Sequence, residues 1–378
     1  MGILLSLVRR RPVVFSVAFL LLARFYLRLK RDRKKFLGFP KKGVSRILSS
    51  GQPVAKVKSL WIFPVKSCKP VKMERVRLTN NGFEYDRLAM IVNKRGVPVT
   101  QRMIPELARV EIRILQEESK IRIISPVSLK SRWNYIDIDL QPPKNLPSVT
   151  FDLHGIASKC VDLGDEMADW ICQMIASLRG RECSGYRLVQ ICPGSSRNVY
   201  NSAARLLMDD ARPHDGTLLS DLAPLSLTSA DSLRKLNCIL AAESQVPMDR
   251  FRSNIVMECC GTNMKDLGFI EDWFERIEIG NVKLRIIGPT FRCVIPTVDQ
   301  ATGEAGFRKN IRNAEPIKTL KSVRSGGLRF GLTGLLPMSM GGSKGLAPIF
   351  GVYVGVQDEH TDAYIAEGDD IVVRSVRK

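Results

Sequence analysis

Cys293 follows Arg292 directly in the stretch 288–299, GPTFRCVIPTVD. A thiol beside a guanidinium sits in a positive field, which favours the thiolate, the form that attacks electrophiles and binds soft metals. A free cysteine is also commonly a buried, inert packing residue, so this stretch alone leaves both readings open. Other polar residues leave the ends of apolar runs. Lys66 and Ser67 follow Pro64 and Val65, Arg87 follows Asp86, and Arg252 and Asn254 sit in 251–255 (FRSNI). Cations and hydrogen-bond donors gathered at one end of a barrel would grip an anionic, phosphate-bearing ligand. Each also has a plainer role: Lys66 in solvent, Arg87 paired with Asp86 or Glu84, Arg252 paired with Asp249. Asp299, six residues past Cys293, is placed to deliver a proton or, more simply, to cap its own loop.

The rest of the composition narrows the classes. Nine cysteines at irregular spacing, with no C-x-x-C, argue against a disulfide framework and against a zinc site. They fit a reducing compartment. Three scattered histidines leave little for a histidine metal site or a Ser-His-Asp triad. The net charge is +20, of which +11 falls in residues 1–42, where twelve Lys/Arg face one acid, Asp32. The remaining +9 is basic without being extreme, and no zinc-finger, helix-turn-helix or RNA-binding signature accompanies it, so no nucleic-acid partner is expected.

The elements that would position these residues are mostly short strands. Residues 277–287 (IEIGNVKLRII) alternate around Gly280-Asn281, a β-hairpin that delivers the chain to Cys293. Strands are expected at 57–65, 71–78, 87–92, 135–140, 186–192, 254–257, 349–356 and 371–373, and a hairpin pairs 109–115 with 120–124. Residues 55–155 thus read as an antiparallel β domain. The segment 165–178 carries Met167, Trp170, Ile171, Met174, Ile175 and Leu178 on one helical face, a core stripe, with Asp162 or Asp165 as its cap. A short helix follows the run 225–228, at 229–236. Residues 193–216 read as a surface loop or lid and 325–345 as a flexible Gly/Ser/Met loop. Many short strands with few helices indicate an α+β architecture, mainly β, built on a barrel.

At the N-terminus, the apolar run 12–23 (PVVFSVAFLLLA) lies between Arg9–Arg11 and a basic tract at 28–35. Alone it is short for a span, which takes about twenty residues, but it can lengthen through Leu27 with Arg24 and Arg28 snorkelling. No cleavage site follows, so a retained membrane anchor is expected, with the body kept cytosolic by the downstream charge. Met1-Gly2 with Ser6 also fits the loose myristoylation pattern.

The blocks WIFPVKSCKP (61–70), DRLAMIVN (86–93), FRSNIV (251–256), FRCVIPTVDQATG (291–303), PIFGVY (348–353) and EGDDI (367–371), in this order, resemble the MOSC-domain proteins, and among them the mitochondrial amidoxime-reducing components. The resemblance implies an N-terminal antiparallel β domain packed on a MOSC β-barrel with a few helices. The division it suggests is an anchor at 1–37, a linker at 38–54, the N-terminal domain at 55–180 and the MOSC domain at 181–376. It implies the molybdenum cofactor (Mo-molybdopterin), a pterin dithiolene with a phosphate tail, bound between the domains. Cys293 stands where the family places its molybdenum ligand, and Lys66, Ser67, Arg87 and Arg252 match residues that hold pterin and phosphate. Arg292, Asn254 and Tyr353 fall at or beside cofactor-contacting positions. The segment 220–224 (SDLAP) aligns with a contacting SDTSP-like segment in which Leu222 and Ala223 replace hydroxyl residues, leaving Asp221 and the backbone. Phe291 stands where relatives carry serine. The implied activity is reduction of N-hydroxylated small molecules, amidoximes and hydroxylamines, with electrons from cytochrome b5 and NADH-cytochrome b5 reductase. The implied place is the mitochondrial outer membrane, with the globular part facing the cytosol. The alternatives are a sulfur carrier like the C-terminal part of molybdenum-cofactor sulfurases, a cofactor-binding MOSC protein without turnover, and a basic adaptor at a membrane surface. The first of these carries an aminotransferase-like domain with a pyridoxal-binding lysine ahead of its MOSC part, whereas only residues 1–56 precede the match here.

Overall fold

A computed structural model describes residues 42–48, 50–129, 133–143, 145–153, 155–198, 200, 208, 210–261, 266–329, 346–357 and 363–377. The apolar run 12–23 and most of the 199–209 and 330–345 stretches lie outside the described residues. Among the described residues no helix is long and apolar enough to cross a membrane.

Seven strands close a barrel: β1 (Pro53–Ile62), β2 (Leu225–Ser229), β3 (Ile255–Cys259), β4 (Phe274–Ile279), β5 (Val282–Phe291), β6 (Leu346–Val356) and β7 (Asp370–Val376). Their hydrogen-bonded order is β2-β3-β1-β7-β4-β5-β6, with β6 pairing back to β2. Closure leaves these strands without a bare edge. Period-two alternation turns Val57, Leu60, Ile255, Met257, Ile277, Ile279, Leu284, Val352, Val354, Ile371 and Val373 into one interior core. β2 and β3 are the parallel pair of the barrel, with Leu227 opposite Ile255. A parallel pair needs a crossover, and helix Ala230–Ile239 supplies it, capped by the Ser229 hydroxyl, which accepts from the Asp231 N–H. The β4–β5 hairpin turns as expected at Gly280-Asn281, with Ile279 opposite Val282 and Gly280 at φ +56°.

β1 pairs with β3, β7 and the short strand Val71–Met73, so it lies in the barrel sheet and not with the strands between Ala89 and Ile191. Those strands form a second body. Glu111–Leu115, Lys120–Ile124 and Tyr135–Asp139 make a three-stranded meander, with Leu115 opposite Lys120 as the hairpin reading expects. Ala89–Val92, Arg187–Ile191, Ala157–Asp162 and Ser148–Asp152 make a four-stranded sheet. Helix Asp165–Arg179 buries Trp170, Ile171, Met174 and Ile175 against Ile112, Ile121, Ile123, Ile138 and Leu188. Its stripe is core, as read from the sequence. Its cap differs. Gly164 occupies the N-cap position with no side-chain bond, because the Asp162 carboxylate is taken by the Gly164 N–H and the Arg187 guanidinium. Two other expectations change. The run 71–78 is two strands, Val71–Met73 and Arg75–Thr79. The run expected to be a loop from 325 begins as strand Ser325–Arg329, paired to β6.

Candidate functional site

The site forms where β1 and β5 run out of the barrel. Past β1, Lys66 donates its backbone N–H to Ala89 O at 2.8 Å, which ties the Lys66–Ser67 turn to the second body. β5 carries Gly288 and Pro289 inside a strand, where proline cannot donate to a ladder. Register shifts flank it, between Ile286 and Gly288 and between Pro289 and Phe291. Such bulges bend a strand and re-aim the side chains beyond them. The chain leaves β5 with the Arg292 N–H on Pro348 O at 2.8 Å, and Cys293 follows, half-buried, its Sγ accepting from the Ile295 N–H at 3.5 Å.

One cavity is lined by Lys66, Ser67, Arg87, Asp221, Leu222, Ala223, Arg252, Asn254, Phe291, Arg292, Cys293 and Tyr353. The twelve residues that the resemblance assigns to the site therefore share a wall, and Asp299 does not line it. Thr100, Arg102, Arg250, Thr290, Ile295 and Pro296 line it too and were not foreseen. Six Lys/Arg side chains and one carboxylate, Asp221, face this space. Asp86 pairs with Arg87 and Asp299 with Arg250 from behind, so cations outnumber carboxylates at this wall.

The plainer roles weighed for the cations are settled individually. Lys66 is not solvated. It is 7% exposed and donates to Leu219 O at 2.8 Å and to Asp221 at 2.5 Å. Burial lowers its pKa and the Asp221 carboxylate opposes that shift. Arg87 does pair with Asp86, at 2.5 Å, while Glu84 is 3.4 Å from Arg77. The Arg252 guanidinium does not pair with the Asp249 carboxylate, although the Arg252 backbone N–H donates to Asp249 O at 3.1 Å. It donates to Gln300 Oε1 at 3.1 Å and Cys68 O at 2.8 Å, and lies with Arg87 over the Phe63 ring. Burial first, then repulsion from Arg87, pushes the Arg252 guanidinium down to about 9, so it stays protonated at neutral pH.

Two residues are fully occupied by the protein. Arg292 donates to Phe350 O at 2.9 and 2.7 Å and to Phe251 O at 2.6 Å, and burial pushes it down to about 10. It clamps the ends of the strands that carry Cys293. Asn254 bonds Asp86, Trp61 O and Ser226, holding Asp86 behind Arg87. Asp299 caps its loop, accepting from the Ala301 and Thr302 N–H groups, in keeping with the simpler of its two readings.

Backbone strain concentrates here. Ser67 (φ +71°), Arg87 (φ +56°) and Arg252 (φ +50°) hold left-handed conformations that non-glycine residues seldom adopt. Such conformations persist where surrounding structure over-determines them, and they cluster at ligand sites. The opposite wall is apolar: Leu222, Ala223, Phe291, Ile287, Ile349 and Tyr353 pack together. The three positions where this chain departs from the family pattern are thus one contiguous surface. Gly82 (φ +107°) lets this wall approach, since a Cβ there would lie 2.5 Å from Pro224 O.

Among the described residues no three His, Cys, Asp or Glu side chains gather as a metal site. A metal held by Cys293 must therefore bring further ligands of its own. Thr290 Oγ1 and Arg250 Nε, both buried at the wall, have no hydrogen-bond partner among the described residues.

Comparison with known proteins gives two family matches, the MOSC N-terminal beta barrel domain over residues 54–177 and the MOSC domain over residues 215–372. Mitochondrial amidoxime-reducing component 1 of Mus musculus is 30% identical over 324 residues, covering 85% of this chain and 82% of that protein. Mitochondrial amidoxime reducing component 2 of Homo sapiens is 30% identical over 316 residues, covering 81% and 80%. The molybdenum cofactor sulfurase of Drosophila grimshawi is 28% identical over 276 residues, covering 72% of this chain and 31% of that protein.

Proposed function

Because this chain belongs to the MOSC-domain proteins, we propose that its cavity holds the molybdenum cofactor and that the protein reduces N-hydroxylated compounds, amidoximes and hydroxylamines. One observation carries the reading: cations, mostly half-buried, outnumber carboxylates around a cavity whose wall also presents a single thiol. A pterin dithiolene brings sulfur ligands for its own metal and needs one soft protein ligand, and its phosphate needs cations and donors. Cys293 Sγ, the Lys66, Arg87 and Arg252 side chains and the Ser67 turn fit that demand. The unpartnered Thr290 hydroxyl and Arg250 Nε add buried donors at the wall. The fit rests on donor chemistry and charge.

In this reading Cys293 ligates molybdenum, while Lys66, Ser67, Arg87 and Arg252 hold pterin and phosphate. Asp221 fixes Lys66 and opposes the lowering of its pKa by burial. Arg292 and Asn254 act as positioning residues through the carbonyls and the carboxylate they hold. Leu222, Ala223, Phe291 and Tyr353 form the apolar side on which an aryl or alkyl substrate rests. When bound, the cofactor supplies the two-electron chemistry that breaks the N–O bond. An N–OH group, two electrons and two protons give N–H and water. The electrons are assigned to cytochrome b5 and NADH-cytochrome b5 reductase, and the +9 carried by residues 43–378 supports docking of an acidic donor. The names of the relatives support a mitochondrial location. The apolar run 12–23 supports attachment to the outer membrane with the barrel in the cytosol.

The test is molybdenum per chain, and NADH oxidation driven by benzamidoxime in the presence of both donor proteins. Cys293→Ser is expected to abolish turnover. Equal metal and equal turnover in that variant would remove Cys293 from its role. Likeness to the sulfurase favours a second reading, a cofactor-binding or sulfur-carrying MOSC protein without reductase turnover. That protein would carry molybdenum and leave NADH unoxidised.

A further inference from the structure

Gln101 and Gln300 form a buried pair at the foot of the cavity, Gln101 fully buried and Gln300 6% exposed. Each side-chain amide nitrogen donates to the other's oxygen at 3.0 Å. Gln101 Nε2 also donates to Ser67 O at 2.9 Å, and Gln300 Nε2 to Val298 O at 3.1 Å. Gln300 Oε1 further accepts from the Arg252 guanidinium at 3.1 Å. Both hydrogens of each amide are thus used.

The network joins two left-handed residues of the cavity wall. Its ends are Ser67 and Arg252, at φ +71° and +50°. Two buried amides cost free energy unless every polar atom is partnered, and two apolar side chains would fill the same space without that demand. What the amides add is direction. Ser67 is drawn from one side and Arg252 from the other, by residues 199 positions apart in the chain.

We propose that Gln101 and Gln300 are positioning residues, a clamp that sets Ser67 and Arg252 for an anionic phosphate group in the cavity. The proposal rests on the reading of this cavity as a cofactor site and adds residues from outside its wall. Without the clamp the Arg252 guanidinium loses one of its two acceptors and the Ser67 turn loses its carbonyl tether. The cations remain but no longer converge.

The test uses the full chain from cells unable to make the cofactor, with inorganic pyrophosphate as the probe and calorimetry as the readout. Gln300→Leu is expected to weaken pyrophosphate binding about tenfold, as loss of a hydrogen bond to a charged group does. In an Arg252→Ala background the same change is expected to have no further effect, because the two act through one another. Gln101→Met, of nearly equal length, covers the case in which Gln300→Leu does not fold, and it should weaken binding while near-ultraviolet circular dichroism stays native. Undiminished affinity in a folded variant, or an equal loss from Gln300→Leu in both backgrounds, overturns the clamp. Molybdenum content of the parent chain from cofactor-competent cells reports separately. A parent without molybdenum whose cycle behaves as expected would overturn the functional reading and leave the clamp standing.

Discussion

Phe291 is 4% exposed and packs with Leu222, Ala223, Ile287, Ile349 and Tyr353 on the wall facing the cations. Its ring therefore both stabilises the barrel's end and shapes the space beside Cys293. Truncation of a buried aromatic costs ~3 kcal/mol or more, so Phe291→Ser is expected to lower unfolding free energy by about that amount in urea titrations. It is also expected to change KM for bulky aryl substrates more than for small ones. No such change in the ratio would take Phe291 out of substrate contact. At this scale much of the site was legible. Lys66, Ser67 and Cys293 stand just past apolar runs, a pattern that marks strand exits, and Arg252 stands just before the strand Ile255–Cys259. Thr100, Gln101 and Arg102 carry no such mark. They follow Val99 in a short stretch without periodicity, and the role of Gln101 exists only through its contacts with Ser67 and Gln300. Arg197 was equally hidden. It is 1% exposed and reaches Ser220 O and Leu153 O, bracing the loop that carries Asp221.

Among elements, the turn Ile270–Trp273 places two acids in the interior, Glu271 and Asp272. Asp272 pairs with Arg324 at 2.5 Å, and the Ser232 hydroxyl donates to Glu271 at 2.8 Å. Burial first, then repulsion from Asp272, raises the Glu271 carboxyl to about 7. The folded-state value exceeds the unfolded one. Stability tied to the protonated group is complete below the ordinary carboxylate range and is lost as pH rises through about 7. Glu271→Gln is expected to flatten this loss, so denaturation at about pH 5 and about pH 8 should differ less in the variant than in the parent. An unchanged difference would mean that Glu271 does not titrate there. The β4–β5 hairpin was readable because Gly280-Asn281 has its own turn chemistry. The β2–β6 seam was not, although it dictates a residue. Gly351 (φ +77°) lies where a Cβ would come 2.5 Å from Thr228 Cγ2 and 2.6 Å from Leu227 O. That requirement arises only once the two strands meet.

For the whole molecule, charge is unevenly distributed. Residues 43–378 keep +9, and cations outnumber carboxylates along the cavity wall. Association with an acidic electron donor is then steered by long-range attraction, which salt screens. The apparent second-order rate of benzamidoxime reduction at limiting cytochrome b5 is expected to fall severalfold between about 50 and about 300 mM KCl, while the rate at saturating donor changes little. A salt-independent rate would exclude steering. The fold class was legible at this scale because many short alternating runs admit few architectures. The order of strands around the barrel was not, since pairing partners of β1 lie some 200 and 315 positions further along.

That placement of β1 has a consequence for how the polypeptide matures. β1 is seated between β3 and β7, and β7 ends at Val376. The cylinder cannot shut until Asp370–Val376 has been translated and has left the ribosome. Until then the Pro53–Lys56 half of β1 lacks its β7 neighbour, although Leu60–Ile62 is already paired with Val71–Met73, and long-range pairing of this kind forms slowly. Loading of any prosthetic group that depends on the closed barrel therefore follows synthesis of β7, and a nascent chain stalled before Asp370 should emerge empty.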